Sequence, residues 1–165
     1  MIFNIKKHSS PLYSILLKLS RNINFYQKIH LKDSFETRIY LMFIHFSIIL
    51  IIFKKKEKIF PQSSYDDLFF NIENDLREMG LGDVGVNKKM KDLNKIFYDI
   101  LLKLNSSKKE FEINKKLIFK YFIELNDKEL NNYRFFDQYC INFYHFCFEL
   151  PPETMIKDAL KFIDL

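Results

Sequence analysis

Apolar side chains recur every three or four residues along most of the chain, which places them on one face of an α-helix. The pattern is clearest over residues 65–79 and 86–104, where the apolar positions are Tyr65, Leu68, Phe69, Ile72, Leu76 and Met79, then Val86, Met90, Leu93, Ile96, Phe97, Ile100, Leu101 and Leu104. Strand-like alternation never extends beyond a few residues. The chain is therefore predicted to be all-α, a single compact domain over residues 1–165 with about seven helices and no significant sheet.

Start and stop signals set the limits of the predicted helices. Further helices are predicted over residues 11–20, 24–30, 35–53, 112–125, 128–150 and 153–163. Proline is favoured at the first helical position, so Pro11 begins the first helix, and residues 1–10 before it are expected to be flexible. Asp33 or Ser34 is expected to cap the long apolar helix. A capping box over residues 63–66 or 64–67 is predicted to start the next one.

Composition supports a packed helical protein. Hydrophobic residues make up 48% of the chain, and only 3 glycines and 4 prolines are present, too few turn formers for a sandwich or barrel. The net charge of +5 suits an anionic surface. However, lysines alternate with acidic residues along most helices, and no RNA-binding signature occurs, so no nucleic-acid partner is expected. Cys140 and Cys147 lie two turns apart on one helix, too far for a mutual disulfide, and are interpreted as reduced core residues.

The apolar segment over residues 39–53 resembles a membrane span but is short. Its 15 residues are followed by Lys54, Lys55 and Lys56, whereas a span needs about 20 apolar residues. A buried core helix is the preferred interpretation. A small membrane-anchored interaction protein that uses residues 39–53 as its span remains the alternative.

Residues 80–85 match the dinucleotide-binding pattern GxGxxG letter for letter. That fingerprint needs a strand before it, but an amphipathic helix precedes it here, so a nucleotide-binding enzyme is the less favoured alternative. In the preferred interpretation, Gly80 ends one helix, Gly82 and Gly85 permit unusual backbone angles, and Asp83 caps the next helix. We call residues 80–85 the glycine corner.

The N-terminus of the helix after the glycine corner is a candidate anion-binding site. Its free N–H groups, with Lys88 and Lys89 close by, would suit a phosphate, a heme propionate or a carboxylate. The simpler interpretation is that both lysines are merely exposed.

Residues with metal or catalytic chemistry are scattered. His45 interrupts the apolar segment and shares a helix face with Arg38, for which Asp33 and Glu36 are candidate partners. No HxxxH or HxxE spacing occurs, so no metal site is predicted. No GxSxG elbow occurs and no cysteine stands at an evident helix N-terminus, so we predict no catalytic residue and no cofactor.

Three stretches together resemble the ubiquinol–cytochrome c chaperone family. Residues 76–91, LREMGLGDVGVNKKMK, are similar to the family's LREMG followed by a GD-x-GV turn and basic residues. Phe97-Tyr98 corresponds to the family's aromatic pair. The resemblance covers residues 12–104, with looser matches at its N-terminal end.

The third stretch carries the motif residues Asp33, Arg38 and His45. They fall where the family has an Asp-Thr start, a Gly-Arg-Phe and a Leu-His. Ser34, Thr37 and Ile39 depart from the pattern, since the family has Thr, Gly and Phe at these positions.

The resemblance implies a non-enzymatic assembly factor shared by mitochondria and alphaproteobacteria. Such a protein binds newly made cytochrome b and promotes its assembly into ubiquinol–cytochrome c reductase (complex III), in mitochondria with a small co-chaperone. Because residues 1–10 contain no presequence, a bacterial protein is expected, cytoplasmic and peripheral to the inner membrane, or on the matrix side if mitochondrial. The predicted client-binding surface comprises Arg77, Glu78, Gly80, Gly82, Asp83, Gly85, Lys88 and Lys89.

Overall fold

The structure, a computed structural model, describes residues 11–126 and 130–164, without the side chain of Leu130. The segment predicted to be flexible, residues 1–10, lies outside them. The described ranges contain eight α-helices, α1 (Pro11–Ser20), α2 (Ile23–Gln27), α3 (Phe35–Lys55), α4 (Gln62–Glu78), α5 (Asp83–Lys103), α6 (Lys115–Tyr121), α7 (Leu130–Phe148) and α8 (Pro152–Asp158), with short 3-10 helices at Ile123–Leu125 and Ala159–Asp164. These ranges contain no strand, only an isolated bridge between Asn105 and Ile113. The all-α prediction is confirmed.

Helix α3 lies at the centre of the protein. Ser34 caps it as predicted, because its hydroxyl accepts a hydrogen bond from the Thr37 N–H at 3.2 Å. The helix packs against α1, α5 and α7. Among the described helices, α3 alone is long and apolar enough to cross a membrane, yet 67% of its most apolar window is buried in the protein. This burial fits the core interpretation.

An aromatic cluster joins α3 to the hairpin of α4 and α5. Phe97 on α5 is fully buried, and its ring centroid lies 5.2 Å from Phe43, 5.4 Å from Phe46 and 5.4 Å from Phe69. Aromatic rings at these separations bury large areas and attract each other through their edges and faces. The cluster therefore fixes how the hairpin sits on α3.

The two cysteines of α7 belong to the core, as predicted. Cys140 and Cys147 are both free and buried. Burial raises the pKa of the Cys140 thiol and brings that of Cys147 to about 12. Both thiols therefore stay protonated and act as small apolar side chains.

Several predicted limits differ from the structure. Helix α4 begins at Gln62, where the Pro61 carbonyl accepts the Tyr65 N–H at 3.3 Å, and no side-chain cap bond forms. The capping box predicted at residues 63–67 is thus wrong, because both serines already lie inside the first turn. Helix α2 ends at Gln27, before His30, whose φ of 57° breaks the helix predicted over residues 24–30.

The C-terminal third is more interrupted than its pattern indicated. The helix predicted over residues 112–125 is limited to α6, which starts after the Asn114 cap, and to one 3-10 turn. The last predicted helix ends as a 3-10 segment from Ala159.

Candidate functional site

The glycine corner begins with a Schellman motif that ends α4. Gly80 has a φ of +93°, the left-handed conformation that only glycine adopts without strain. Its N–H donates to the Arg77 carbonyl at 3.0 Å, and the Leu81 N–H donates to the Leu76 carbonyl at 3.4 Å. These two bonds satisfy carbonyls that the helix end would leave unpaired. The predicted role of Gly80 is confirmed.

The other two glycines do not need unusual backbone angles, contrary to the prediction. Gly82 has a φ of −72° and a ψ of 169° and precedes α5, which starts at Asp83 and not at residue 86. Gly85 lies inside α5 beside the side chain of Leu81. A helix, α4, precedes the corner, so it lacks the strand that a dinucleotide fingerprint requires.

A charge network ties the two sides of the glycine corner together. Asp83 does not cap α5 through its side chain, contrary to the prediction; its carboxylate accepts a hydrogen bond from Arg77. Arg77 also donates to Glu73 at 3.0 Å. The pKa of Arg77 is raised, chiefly by Asp83 and then by Glu73. The last turn of α4 is thereby linked to the first turn of α5.

The position of Asp83 also weakens the anion-binding interpretation. Its carboxylate lies in the first turn of α5, where it interacts favourably with the helix dipole and disfavours a second anion. Lys89 lies 3.7 Å from Glu36 and is therefore not a free cation. Lys88 is exposed.

The structure brings the motif at the start of α3 next to the glycine corner. Glu36 and Lys89 join α3 to α5, and Arg38 pairs with Asp33 at 3.0 Å. Arg38 also lines a cleft of about 470 Å³ between α1, α3 and α4, whose far side includes Glu78 and Met79. Two segments some 40 residues apart in sequence therefore form one continuous surface.

Exposed apolar side chains lie within and beside the glycine corner, and the sequence pattern does not predict them. The exposed fractions are 58% for Met79, 40% for Leu81 and 85% for Val84. The helical pattern places Met79 on the apolar stripe of residues 65–79, which predicts burial, and it makes no prediction for Val84, which lies between the two predicted helices. Apolar side chains next to Arg77 and Lys88 form a surface suited to an apolar segment with charged flanks.

His45 is not part of this surface. The ring is buried, its Nδ1 donates to the Leu41 carbonyl at 2.6 Å, and its Nε2 accepts from the Tyr139 hydroxyl at 2.7 Å. Burial lowers the pKa of His45 to about 4. The described residues contain no group of three or more metal-ligating side chains. His45 is thus a structural residue with satisfied hydrogen bonds.

Replacing Gly80 by alanine is expected to lower the free energy of unfolding by about 1 kcal/mol, because an L side chain is strained at positive φ. Chemical denaturation of the purified variant measures this. Gly82→Ala and Gly85→Ala are matched controls, since neither position requires positive φ and neither Cβ would clash. A loss as large at Gly82 as at Gly80 would contradict the assignment.

Comparison with known proteins identifies one family. The sequence model of a family described as ubiquinol–cytochrome C chaperone matches residues 27–117, more than half of the chain. The matched region contains α3, α4 and α5 with the glycine corner between them. It also contains Asp33, Arg38 and His45. No curated protein and no solved structure matches the chain.

Proposed function

The chain belongs to the ubiquinol–cytochrome c chaperone family, and on this premise we propose that it binds newly made cytochrome b and promotes assembly of ubiquinol–cytochrome c reductase (complex III). The observation that carries the proposal is the glycine corner, where exposed apolar side chains stand among charged ones inside the matched region. A hydrophobic membrane protein offers the complementary combination before it is assembled, namely apolar segments bordered by charged loops.

The glycine corner has the rigidity that a recognition surface needs. The Schellman bonds around Gly80 set the direction in which the chain leaves α4, and the pairing of Arg77 with Asp83 connects the end of α4 to the start of α5. A surface that is ordered before binding loses less entropy when the client docks. Met79, just before the corner, and Val84, within it, are therefore presented from an ordered backbone.

The same geometry supports a binding role without catalysis. Arg77 and Asp83 are both exposed and pair with each other. Many enzymes hold their reacting groups in a site that excludes water, whereas the corner presents its charges to solvent. We accordingly propose that the protein acts without a cofactor, at the inner-membrane face where cytochrome b is inserted, with a small co-chaperone as a further partner.

A pull-down of cytochrome b tests the proposal at the corner. The double variant Asp83→Ala, Lys88→Glu is expected to recover about tenfold less client than the wild type, since interface hot spots contribute at least that factor. Lys95→Glu is the matched control, because this lysine is exposed on α5 two turns further on. Unchanged recovery by the double variant, with an unchanged melting temperature, would contradict client binding at the corner.

A further inference from the structure

A second unusual surface lies at the opposite end of α4, in the connection between α3 and α4. Ile59 is 95% exposed, the highest value among the large hydrophobic side chains of the described residues. Lys54, Lys55 and Lys58 beside it are also exposed. We call residues 54–60 the lysine tip. Helix α4 has 17 residues, so about 25 Å separate the lysine tip from the glycine corner.

The backbone of the lysine tip is fixed by hydrogen bonds. Glu57 has a φ of 55°, and the Lys58 N–H donates to the Phe53 carbonyl at 2.9 Å. The ammonium group of Lys56 donates to the Leu150 carbonyl at 2.9 Å and to the Phe148 carbonyl. The tip is therefore attached to the end of α7 and held in one conformation.

The packing of Phe60 forces Ile59 outward. The Phe60 ring lies 5.3 Å from the Phe46 ring and 5.2 Å from the Phe53 ring, so Phe60 is partly buried and packs against the core. Ile59 precedes this anchored residue and points into solvent. The exposure of Ile59 thus follows from an ordered turn that presents an aliphatic side chain.

The charge around Ile59 is positive. The tip holds Lys54, Lys55, Lys56 and Lys58 against Glu57, a sum of 4 − 1 = +3. The loop after α5 lies next to it, because Tyr144 contacts both Lys55 and Phe111. That loop is neutral in sum, with Lys108 and Lys109 against Glu110 and Glu112. Including Glu149, just after the end of α7, lowers the net charge to 3 − 1 = +2, which is still positive.

We infer that the lysine tip docks on an anionic lipid bilayer. An aliphatic side chain surrounded by lysines is suited to this surface, since the apolar group enters the acyl-chain boundary while the ammonium groups remain among the phosphates. Each lysine near an anionic leaflet adds attraction. Nucleic acid fits less well, because the tip offers Ile59 and no exposed aromatic ring or arginine on which a base can stack.

The inference rests on the proposed function for its setting, because it specifies how the protein meets the membrane that holds its client. Its test needs no client. Loss of vesicle binding and loss of cytochrome b recovery are therefore separate outcomes, and each can occur without the other. The lysine tip and the glycine corner lie at opposite ends of α4, so variants of one leave the other intact.

Co-sedimentation with vesicles tests the inference. The full-length protein is mixed with vesicles of phosphatidylcholine alone or with about one third phosphatidylglycerol. Binding is expected only to the anionic vesicles and is expected to weaken with salt. Ile59→Asp is expected to reduce the partition coefficient about tenfold, from lost apolar insertion. The double variant Lys54→Glu, Lys58→Glu is expected to reduce it roughly 30-fold, since two lysines are lost.

Matched controls separate the tip from general charge and hydrophobicity. Ile123→Asp changes an isoleucine that is 74% exposed near the start of α3, at the far end of that helix from the tip. Lys91→Glu with Lys95→Glu changes two exposed lysines of α5. Both controls are expected to bind like the wild type. Equal losses in tip and control variants, or no binding to anionic vesicles, would overturn the inference. Binding of the tip to RNA in place of anionic vesicles would also overturn it.

Discussion

Replacing Phe97 by alanine is expected to lower the free energy of unfolding by about 4 kcal/mol, the range for a fully buried aromatic residue. The ring contacts Phe43, Phe46 and Phe69, so its removal leaves a cavity where α3, α4 and α5 meet. Two of these rings are held by α3 and one by α4, so they cannot all move inward. Urea denaturation, followed by circular dichroism, measures the loss.

The control for Phe97 lies on the same helix. Leu102 is 78% exposed, and Leu102→Ala is expected to change stability by less than about 0.5 kcal/mol. If Phe97→Ala lost no more than Leu102→Ala, the aromatic cluster would not determine how the hairpin sits on α3.

Acidification from pH 7 to pH 5 is expected to lower the free energy of unfolding by about 2 kcal/mol through His45 alone. The pKa of His45 is about 4 in the folded protein and 6.5 as its ordinary value. Between these values the unfolded state binds more protons, so stability falls as pH falls, by about 3 kcal/mol once pH passes below 4. The physical cause is burial, which excludes the water that would solvate the charged ring.

Denaturation of His45→Gln measures the contribution of His45. Glutamine keeps a donor and an acceptor for Leu41 and Tyr139 but does not titrate. Its stability at pH 7 is expected to fall, and its loss between pH 7 and pH 5 should be about 2 kcal/mol smaller than that of the wild type. Asp99, whose pKa is lowered chiefly by Lys103, loses its pairing only at lower pH and does not interfere. Equal pH dependence in both proteins would contradict the buried, neutral state of His45.

Local sequence signals were enough to predict α3 and the end of α4. Ser34 can cap a helix wherever its own backbone is extended, and Gly80 is favoured at positive φ in any context. Residues whose type fits more than one position at a helix start could not be assigned a role from the sequence. Aspartate is favoured both as an N-cap residue and in the first turn of a helix. In the structure Asp83 is the first residue of α5, where it forms a salt bridge with Arg77.

Long-range partners could not be predicted from a single sequence. Tyr139 lies 94 residues after His45, and neither has a local pattern that indicates the other. The same holds for Glu36 and Lys89, which meet only because α3 and α5 pack together. By contrast, the pairing of Glu73 with Arg77 was within reach, since residues four apart face each other on a helix.

The charged residues at the glycine corner could be predicted from the sequence to be exposed, but its exposed apolar residues could not. Charged residues and glycines are typical of loops, so the sequence indicates a charged, exposed turn here. The helical pattern places Met79 on the buried stripe of α4 and gives no prediction for the exposure of Val84. Met79 is exposed because α4 ends at Glu78 and the chain turns away there, whereas Val84 is exposed on the first turn of α5.

Site-specific photo-crosslinking in native membranes tests the glycine corner as the client surface most directly. A photoreactive residue is placed at Val84, which is 85% exposed in the corner, and in a second variant at Ile23, which is 57% exposed on α2. Cytochrome b is expected among the crosslinked chains from position 84 and not from position 23. Cytochrome b captured equally from both positions, or only from position 23, would contradict the assignment of the glycine corner.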